Sequence, residues 1–327
     1  MIPGALTRRL PEGRSRPLLC LPAVRVPASD APLRSGLAGT GYWARITQAP
    51  ALASTEGIEF VAVWGSNPDA ARALAAEHAA AAYEDFDAFA ARVDGVAFSV
   101  PPDVQAAMAV RAAAAGKHLL LEKPIATSAA AGSALVQAVE AARVASLVFF
   151  TQRFQPEVRA WLADVTGDRD RWSGAELTWL GSSLRESSPF NTPWRRDKGA
   201  LWDLGPHAIS LLWACLGPVG SVTADAGPAD VAHLVLHHRN GPTSTVTVSQ
   251  SASRAAQGFG CYLWGESGRS TAPGLPAQPV TPMRVALAEL VSNARSGRTA
   301  HACDVQFGQD VVRLLAEAER QLAQHHR

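Results

Sequence analysis

Three side chains in this sequence have types and spacings suited to acid–base chemistry: a lysine at 123, an aspartate at 203 and a histidine at 207. Lys123 stands in Lys117-His118-Leu119-Leu120-Leu121-Glu122-Lys123-Pro124, directly behind three leucines. A charge seldom follows such an apolar run without a task or a partner. An ammonium in that place would steady negative charge developing on an oxygen, most effectively where water is excluded. Asp203 and His207 lie in Gly199-Ala200-Leu201-Trp202-Asp203-Leu204-Gly205-Pro206-His207. With Pro206 at the first position of a helix running to Cys215, Asp203 falls just before the first turn and His207 just inside it. A histidine exchanges protons near neutral pH, and a carboxylate one turn away can orient its ring. The structural alternatives are a helix cap for Asp203 and a satisfied helix-start histidine for His207. An exposed Glu122–Lys123 ion pair is disfavoured, because neighbours along a strand point to opposite faces.

A second group is glycine-rich. Gly39-Thr40-Gly41-Tyr42-Trp43-Ala44 follows a short apolar segment and precedes a stretch with helical character. In that setting Gly39 permits a tight turn, Gly41 permits close approach of a pyrophosphate, and the small Ala44 lets helix and strand pack. The amides and partial positive charge of the helix start would meet the phosphates. An NAD site usually carries an acid at the end of the second strand to hold the ribose hydroxyls. Here that place reads Trp64-Gly65-Ser66-Asn67. The missing carboxylate leans the choice of NAD or NADP toward NADP, with Ser66, Asn67, Arg45 or Arg72 available to a 2′-phosphate. Asn67 also suits an N-cap, with Pro68 at the first helical position.

These residues need a scaffold, and the chain spells one out. Strand-like segments at 36–38, 60–64, 96–100, 119–121 and 147–150 alternate with helical ones at 44–53, after 67, 85–93, 103–115 and 128–145. This order predicts a doubly wound parallel sheet with helices on both faces. Ligands of such sheets sit beyond the carboxyl ends of the strands, where Lys123 falls. In the second half, strands are expected at 175–180, 231–238, 244–249 and 260–264, and helices from 281 to 291 and from 304 to 322. Residues 266–280 read as a loop. The expected organisation is an extension over 1–34, a dinucleotide-binding domain over 35–150 and a substrate-binding and oligomerisation domain over 151–327.

Composition narrows the function classes. The 327 residues carry 30 Lys+Arg against 29 Asp+Glu, so no global field argues for nucleic acid or a membrane surface. Cys20, Cys215, Cys261 and Cys303 form no CxxC pair, which suits a reducing, cytoplasmic setting and carries no metal signature. The first 34 residues hold Arg8, Arg9, Arg14, Arg16, Arg25 and Arg34 without an apolar period. Arg8–Arg9 invites an export reading, but the apolar stretch behind it is short and broken by Pro22, so a poorly ordered extension is the expectation. No later segment has the ~20 uninterrupted apolar residues of a membrane helix.

The motifs GTGYWA at 39–44, AGKHLLLEKPIA at 115–126 and GALWDLGPH at 199–207, in this order, resemble the glucose-fructose oxidoreductase/inositol dehydrogenase/rhizopine catabolism family over roughly residues 36–327. The resemblance implies a Rossmann domain followed by an α/β domain built on an open, largely antiparallel sheet, often assembled as a dimer or tetramer. It implies that Lys123, Asp203 and His207 are catalytic. It places Gly39, Thr40, Gly41, Tyr42, Trp43, Ser66, Asn67, Pro101, Glu122 and Lys123 around an NAD(P) cofactor. Three positions depart from the family pattern: Ser210 replaces an acid, Val100-Pro101-Pro102-Asp103-Val104-Gln105 replaces Thr-Pro-Asn-x-x-His, and Thr151 replaces an asparagine, although Arg153, Phe154 and Pro156 match.

The expected reaction is reversible hydride transfer between nicotinamide and a secondary alcohol or ketone of a sugar, polyol or related small molecule. His207 would move the hydroxyl proton, Lys123 would stabilise alkoxide charge and Asp203 would hold the imidazole. Arg153, Trp194 and Arg195 are expected to line the substrate cleft. The other functions open to this sequence are a catalytically silent dinucleotide-binding regulator and a reductase of C=C or C=N bonds.

Overall fold

The computed structural model describes residues 31–185 and 187–325. The expectations for Arg8–Arg9, Cys20 and most of the extension lie outside the described residues. The first half builds β1 (Leu33–Ala38), a π-helical turn (Ala44–Gln48), α1 (Ala49–Ser54), β2 (Ile58–Trp64), α2 (Pro68–Glu77), β3 (Ala81–Tyr83), α3 (Phe86–Ala90), β4 (Gly95–Phe98), α4 (Pro102–Ala114), β5 (His118–Leu121), α5 (Ala129–Ala142) and β6 (Ser146–Val148). The strands pair in the order β3-β2-β1-β4-β5-β6, all parallel. This is a doubly wound sheet whose order reverses between β1 and β4, where ligands of such sheets bind.

Local chemistry explains the elements. Leu119, Leu120 and Leu121 are buried on both faces of β5, as a central parallel strand requires. Asn67 caps α2 by accepting from the Ala70 amide at 3.1 Å, Asp85 caps α3 and Ser128 caps α5. The π-helical turn precedes Pro50, which has no N–H for an ordinary i→i−4 bond; the Ala49 amide instead reaches Ala44 O. β3 has no alternating apolar signal, since it is three residues, two of them alanine, at the sheet edge.

The second half builds α6 (Thr151–Phe154), α7 (Pro156–Thr166), β7 (Trp172–Leu180), α8 (Pro193–Asp203), α9 (Gly205–Leu216), β8 (Val219–Ala226), β9 (Ala232–His238), β10 (Thr243–Ser249), β11 (Gly258–Gly265), β12 (Gly268–Thr271), α10 (Val280–Ser296) and α11 (Val305–His325). Its sheet runs β12-β11-β7-β10-β9-β8. Only the β7–β10 pair is parallel, so the sheet is open and largely antiparallel. Two strands depart from the sequence expectation. β12 pairs with β11 inside the stretch read as a loop, and β8 carries a register shift beside Gly220 that breaks its alternation.

The last helices return to the first sheet. The Val305 amide donates to Ser146 Oγ at 3.2 Å, and the Gln309 carboxamide donates to Ala129 O and Ser133 Oγ, each at 2.9 Å. The C-terminal helix thus packs against the nucleotide-type sheet as well as the second one, and holds the edge between them. Among the described residues no helix is long and apolar enough to cross a membrane.

Candidate active site

A cleft of about 1040 Å³ opens at the carboxyl ends of the first sheet's strands and is closed from the other side by residues of α8, α9 and the edge of β7 and β10. Its lining brings together Gly41, Tyr42, Trp43, Pro101, Glu122 and Lys123 from the first half. From the second half come Trp194, Arg195, Asp203 and His207. Positions 123 and 207, far apart in sequence, thus share one concavity.

The glycine turn is shaped for close approach. Gly39 has φ +129°, and a Cβ there would lie 2.2 Å from Ser99 O, so only glycine lets β1 pass the end of β4. A Cβ on Gly41 would meet nothing within 4 Å. Ala44 is fully buried, as close helix–strand packing demands. Thr40 points elsewhere, its methyl 2.7 Å from where a Cβ on Gly65 would stand. Ser66 and Asn67 are exposed beyond β2 and do not line the cleft.

Glu122 and Lys123 diverge from the end of β5. Glu122 Oε1 accepts from Trp43 Nε1 at 2.6 Å and Gln48 Nε2 at 2.8 Å, tying the strand end to the helix behind the glycine turn. Burial pushes its carboxyl above the usual range, although Lys123 opposes the shift. Gln105 clamps the same turn: Oε1 accepts from Glu122 N, and Nε2 donates to Glu122 O and Pro124 O. The Lys123–Pro124 peptide is cis.

Lys123 Nζ donates to the Asp203 carbonyl at 2.7 Å and to Asp203 Oδ1 at 2.8 Å. Asp203 Oδ2 accepts from Gln250 Nε2 at 2.5 Å and lies 3.1 Å from Arg195 Nε, an ion-pair contact whose N–H is not aimed at the oxygen. Burial alone would raise the Asp203 pKa, but Lys123 and then Arg195 outweigh it and hold the carboxyl well below the usual range. His207 is 6 % exposed, and burial, reinforced by Lys123, pushes its imidazole well below the usual histidine value. The ring is therefore neutral at physiological pH. It lies 5.4 Å from Trp179, and its Nδ1 is buried without a partner among the described residues.

Two sequence expectations are corrected here. Asp203 ends α8 two residues before α9 begins at Gly205, with Pro206 second and His207 third in α9, but its carboxylate does not orient the imidazole. Its hydrogen bonds go to Lys123 and Gln250, not to the His207 imidazole. Arg153 does not reach the cleft. Its guanidinium donates to Ser210 O at 3.0 Å and stacks over Phe307 at 5.7 Å, facing a separate pocket of about 350 Å³.

Sequence reasoning missed Gln48, Trp179, Phe190 and Gln250 as site residues, and noted Gln105 only as a departure from a motif. Trp179 and Gln250 sit at the carboxyl ends of β7 and β10, the one parallel pair of the second sheet, so the strand-end rule applied there would have found them. Phe190 carries no such signal. It reaches over to Tyr42 and Trp43, at ring distances of 5.2 and 6.1 Å, and bridges the two halves.

Residues 33–150 match the description "Oxidoreductase family, NAD-binding Rossmann fold" and residues 173–271 match "GFO/IDH/MocA C-terminal domain". The chain is 29 % identical over 236 residues to inositol 2-dehydrogenase of Rhizobium meliloti (strain 1021), covering 68 % of this chain and 70 % of that protein. It is 32 % identical over 197 residues to dTDP-3,4-didehydro-2,6-dideoxy-alpha-D-glucose 3-reductase of Streptomyces violaceoruber, covering 57 % and 55 %. The fold superposes on UDP-N-acetylglucosamine 3-dehydrogenase from Acidithiobacillus ferrooxidans with TM-score 0.76 at 18 % identity, over 90 % of this chain and 99 % of that one.

Proposed function

The chain belongs to the Gfo/Idh/MocA family of NAD(P)-dependent oxidoreductases, which act on the alcohol carbons of sugars and polyols, and from that premise we propose a role for each residue of its cleft. One observation carries the reading: an ammonium, a buried neutral imidazole and an open glycine turn line the same cavity. The open space at Gly41 ahead of a helix start fits a dinucleotide, with Tyr42, Trp43, Pro101 and Glu122 around it and Gly39, Thr40, Ser66 and Asn67 behind or beside the turn. Bound nicotinamide supplies a hydride acceptor or donor.

The protein's part is to orient the substrate and move its proton. His207 takes the hydroxyl proton in the oxidative direction and returns it in the reductive one, and its neutral ring is ready for the first task. Lys123 has two of its three N–H groups on Asp203 and offers the third to the oxygen on which charge develops. Asp203 acts on Lys123 rather than on the imidazole. Trp179, beside His207, presents a flat apolar face suited to the ring of a pyranose or cyclitol, and Trp194 and Arg195 line the same cleft.

NADP is the preferred cofactor, an assignment supported by the missing acid at the end of β2. The next carboxylate along the chain, Asp69, is engaged by Arg72 at 2.6 Å. Copies of the chain associate through the outer face of the second sheet, where Trp264 is 47 % exposed. A cytoplasmic setting is supported by the free, buried Cys215, Cys261 and Cys303.

The test follows absorbance of the nicotinamide with NAD and NADP against cyclitols, free hexoses, nucleotide-linked sugars and linear imines. Turnover of an alcohol, largely abolished in Lys123→Ala with cofactor affinity retained, is the expected result. Undiminished turnover in that variant overturns the role given to Lys123.

A further inference from the structure

Asp203 is held from a side that neither the motifs nor the proposed chemistry uses. Gln250 is 6 % exposed, follows β10 directly, and donates to Asp203 Oδ2 at 2.5 Å. Its own position is fixed on three flanks. The Gln250 amide donates to Asp230 Oδ2 at 2.7 Å, while Asp230 Oδ1 accepts from Ser249 Oγ at 2.8 Å and from Ser251 N at 3.1 Å. The Gln250 carbonyl accepts from Leu184 N at 3.0 Å, and Oε1 accepts from Ser183 N at 3.2 Å. The carboxamide is thereby oriented with N–H toward Asp203, since its oxygen already serves as an acceptor.

We propose that Gln250 is a positioning residue for hydride transfer: locked by Asp230 and the 181–184 segment, it fixes the Asp203 carboxylate so that Oδ1 faces Lys123 and the ammonium is held toward the substrate oxygen. This rests on the role assigned to Lys123 above. The geometry argues for it because Asp203 has two oxygens and a rotatable terminal torsion. With only Lys123 and the unaligned Arg195 as partners, the carboxylate could turn toward either cation. The Gln250 bond occupies Oδ2 and leaves Oδ1 for Lys123. Helix α8 supplies Asp203, the turn after β5 supplies Lys123 and the segment after β10 supplies Gln250, so three separately packed regions determine one hydrogen-bond geometry. The charged and titratable groups facing the Asp203 carboxylate are Lys123, Arg195 and His207.

Three variants test this, each checked for folding by its thermal transition. Gln250→Leu removes the donor without adding charge; kcat should fall about 10- to 100-fold, the scale of a small misplacement of a catalytic group, with KM for cofactor and substrate within about threefold. Gln250→Glu sets a second carboxyl against Asp203. It should be active where that pair shares a proton and lose activity as pH rises, giving a new ionisation absent from the parent profile. Gly181→Ala substitutes no site residue but puts a methyl 2.2 Å from Gln250 Oε1, which must move, and should reproduce the kcat loss. A purely structural role would lower the thermal transition without adding the ionisation. Parent-like kcat in Gln250→Leu, or a parent-like pH profile in Gln250→Glu, overturns the proposal. If Lys123→Ala itself keeps full turnover, the role of Lys123 fails first, which separates the two outcomes.

Discussion

The carboxamide of Gln105 closes both sides of the Glu122 peptide unit, accepting from its N–H and donating to its carbonyl, each at 2.8 Å. Gln105 is fully buried on α4, so a helix of the first half holds the turn that carries Lys123. Replacing it by leucine preserves bulk but orphans three backbone groups, the Glu122 N–H and the Glu122 and Pro124 carbonyls, at a cost of about 1–3 kcal/mol each. Gln105→Leu should unfold at lower urea concentration and lose kcat more than cofactor affinity. Equal loss in both would assign Gln105 to the cofactor pocket instead of the lysine turn.

The Lys123–Asp203 pair is nearly dry, with side chains 10 % and 5 % exposed. Removing one partner of such a pair strands a buried charge and costs about 3–5 kcal/mol, whereas replacing both by apolar residues is often neutral. Asp203→Ala should therefore lose stability that the double variant Lys123→Met/Asp203→Leu recovers in part, since Gln250 and Arg195 still lack their acceptor, while both lose turnover. Since the folded pKa of Asp203 lies below its ordinary value, the pair's contribution is complete above that value and disappears as pH falls through the folded one. Equilibrium denaturation of the three proteins measures the pattern.

His207 has the opposite charge type and a lowered pKa, so the sign differs in origin. Below the ordinary value of 6.5 the unfolded chain takes up a proton that the buried ring refuses, and stability declines as pH falls; above 6.5 the ring contributes no pH dependence. The thermal transition should drop between pH 7.5 and pH 5, and drop less in His207→Asn. The acid limb of kcat/KM for alcohol oxidation should lie below 6.5, because the imidazole stays a competent base there. A limb at or above 6.5 would contradict the burial-driven shift.

What the sequence disclosed and what it hid divide along chain distance. The glycine turn, the leucine strand, the cap at Asn67 and the alternation of strands with helices are local signals, and they led to the correct sheet. Lys123 was legible for the same reason, being a charge at a strand end. The partner of Asp203 was not, because choosing Lys123 over His207 requires knowing that β5 and α8 meet across 80 residues. Arg153 shows the converse: residue type and motif agreed, but stacking on Phe307 turns the guanidinium away from the cleft. β12 escaped because its four residues are mostly exposed and paired on one side only.

Cofactor preference offers a sharper test at the end of β2. Trp64, Gly65, Ser66 and Asn67 hold no acid there, and Asn67 is engaged as a cap through its carbonyl oxygen. An acid introduced as Ser66→Asp would repel a 2′-phosphate and accept ribose hydroxyls. The ratio of kcat/KM for NAD over NADP should rise about tenfold or more, equivalent to about 1.4 kcal/mol. A parent enzyme that already favours NAD would refute the NADP assignment.

The two glycines of the turn should separate folding from binding. Gly39 adopts φ +129°, and its added Cβ would collide with Ser99 O at 2.2 Å, a contact with backbone that cannot rotate away. Strain of the backbone alone is of order 1–3 kcal/mol, and the collision adds to it. Gly39→Ala should therefore lower the thermal transition of the cofactor-free protein. Gly41 faces open space within the cleft lining, so an added methyl meets no protein atom and Gly41→Ala should melt like the parent. If that space is where a pyrophosphate approaches the backbone, the same methyl must raise the cofactor dissociation constant and abolish part of the stabilisation that saturating cofactor confers, which grows with the logarithm of ligand concentration over Kd. Melting curves of both variants with and without cofactor decide the matter: a Gly41→Ala protein that gains as much stability from cofactor as the parent would remove the dinucleotide from this turn.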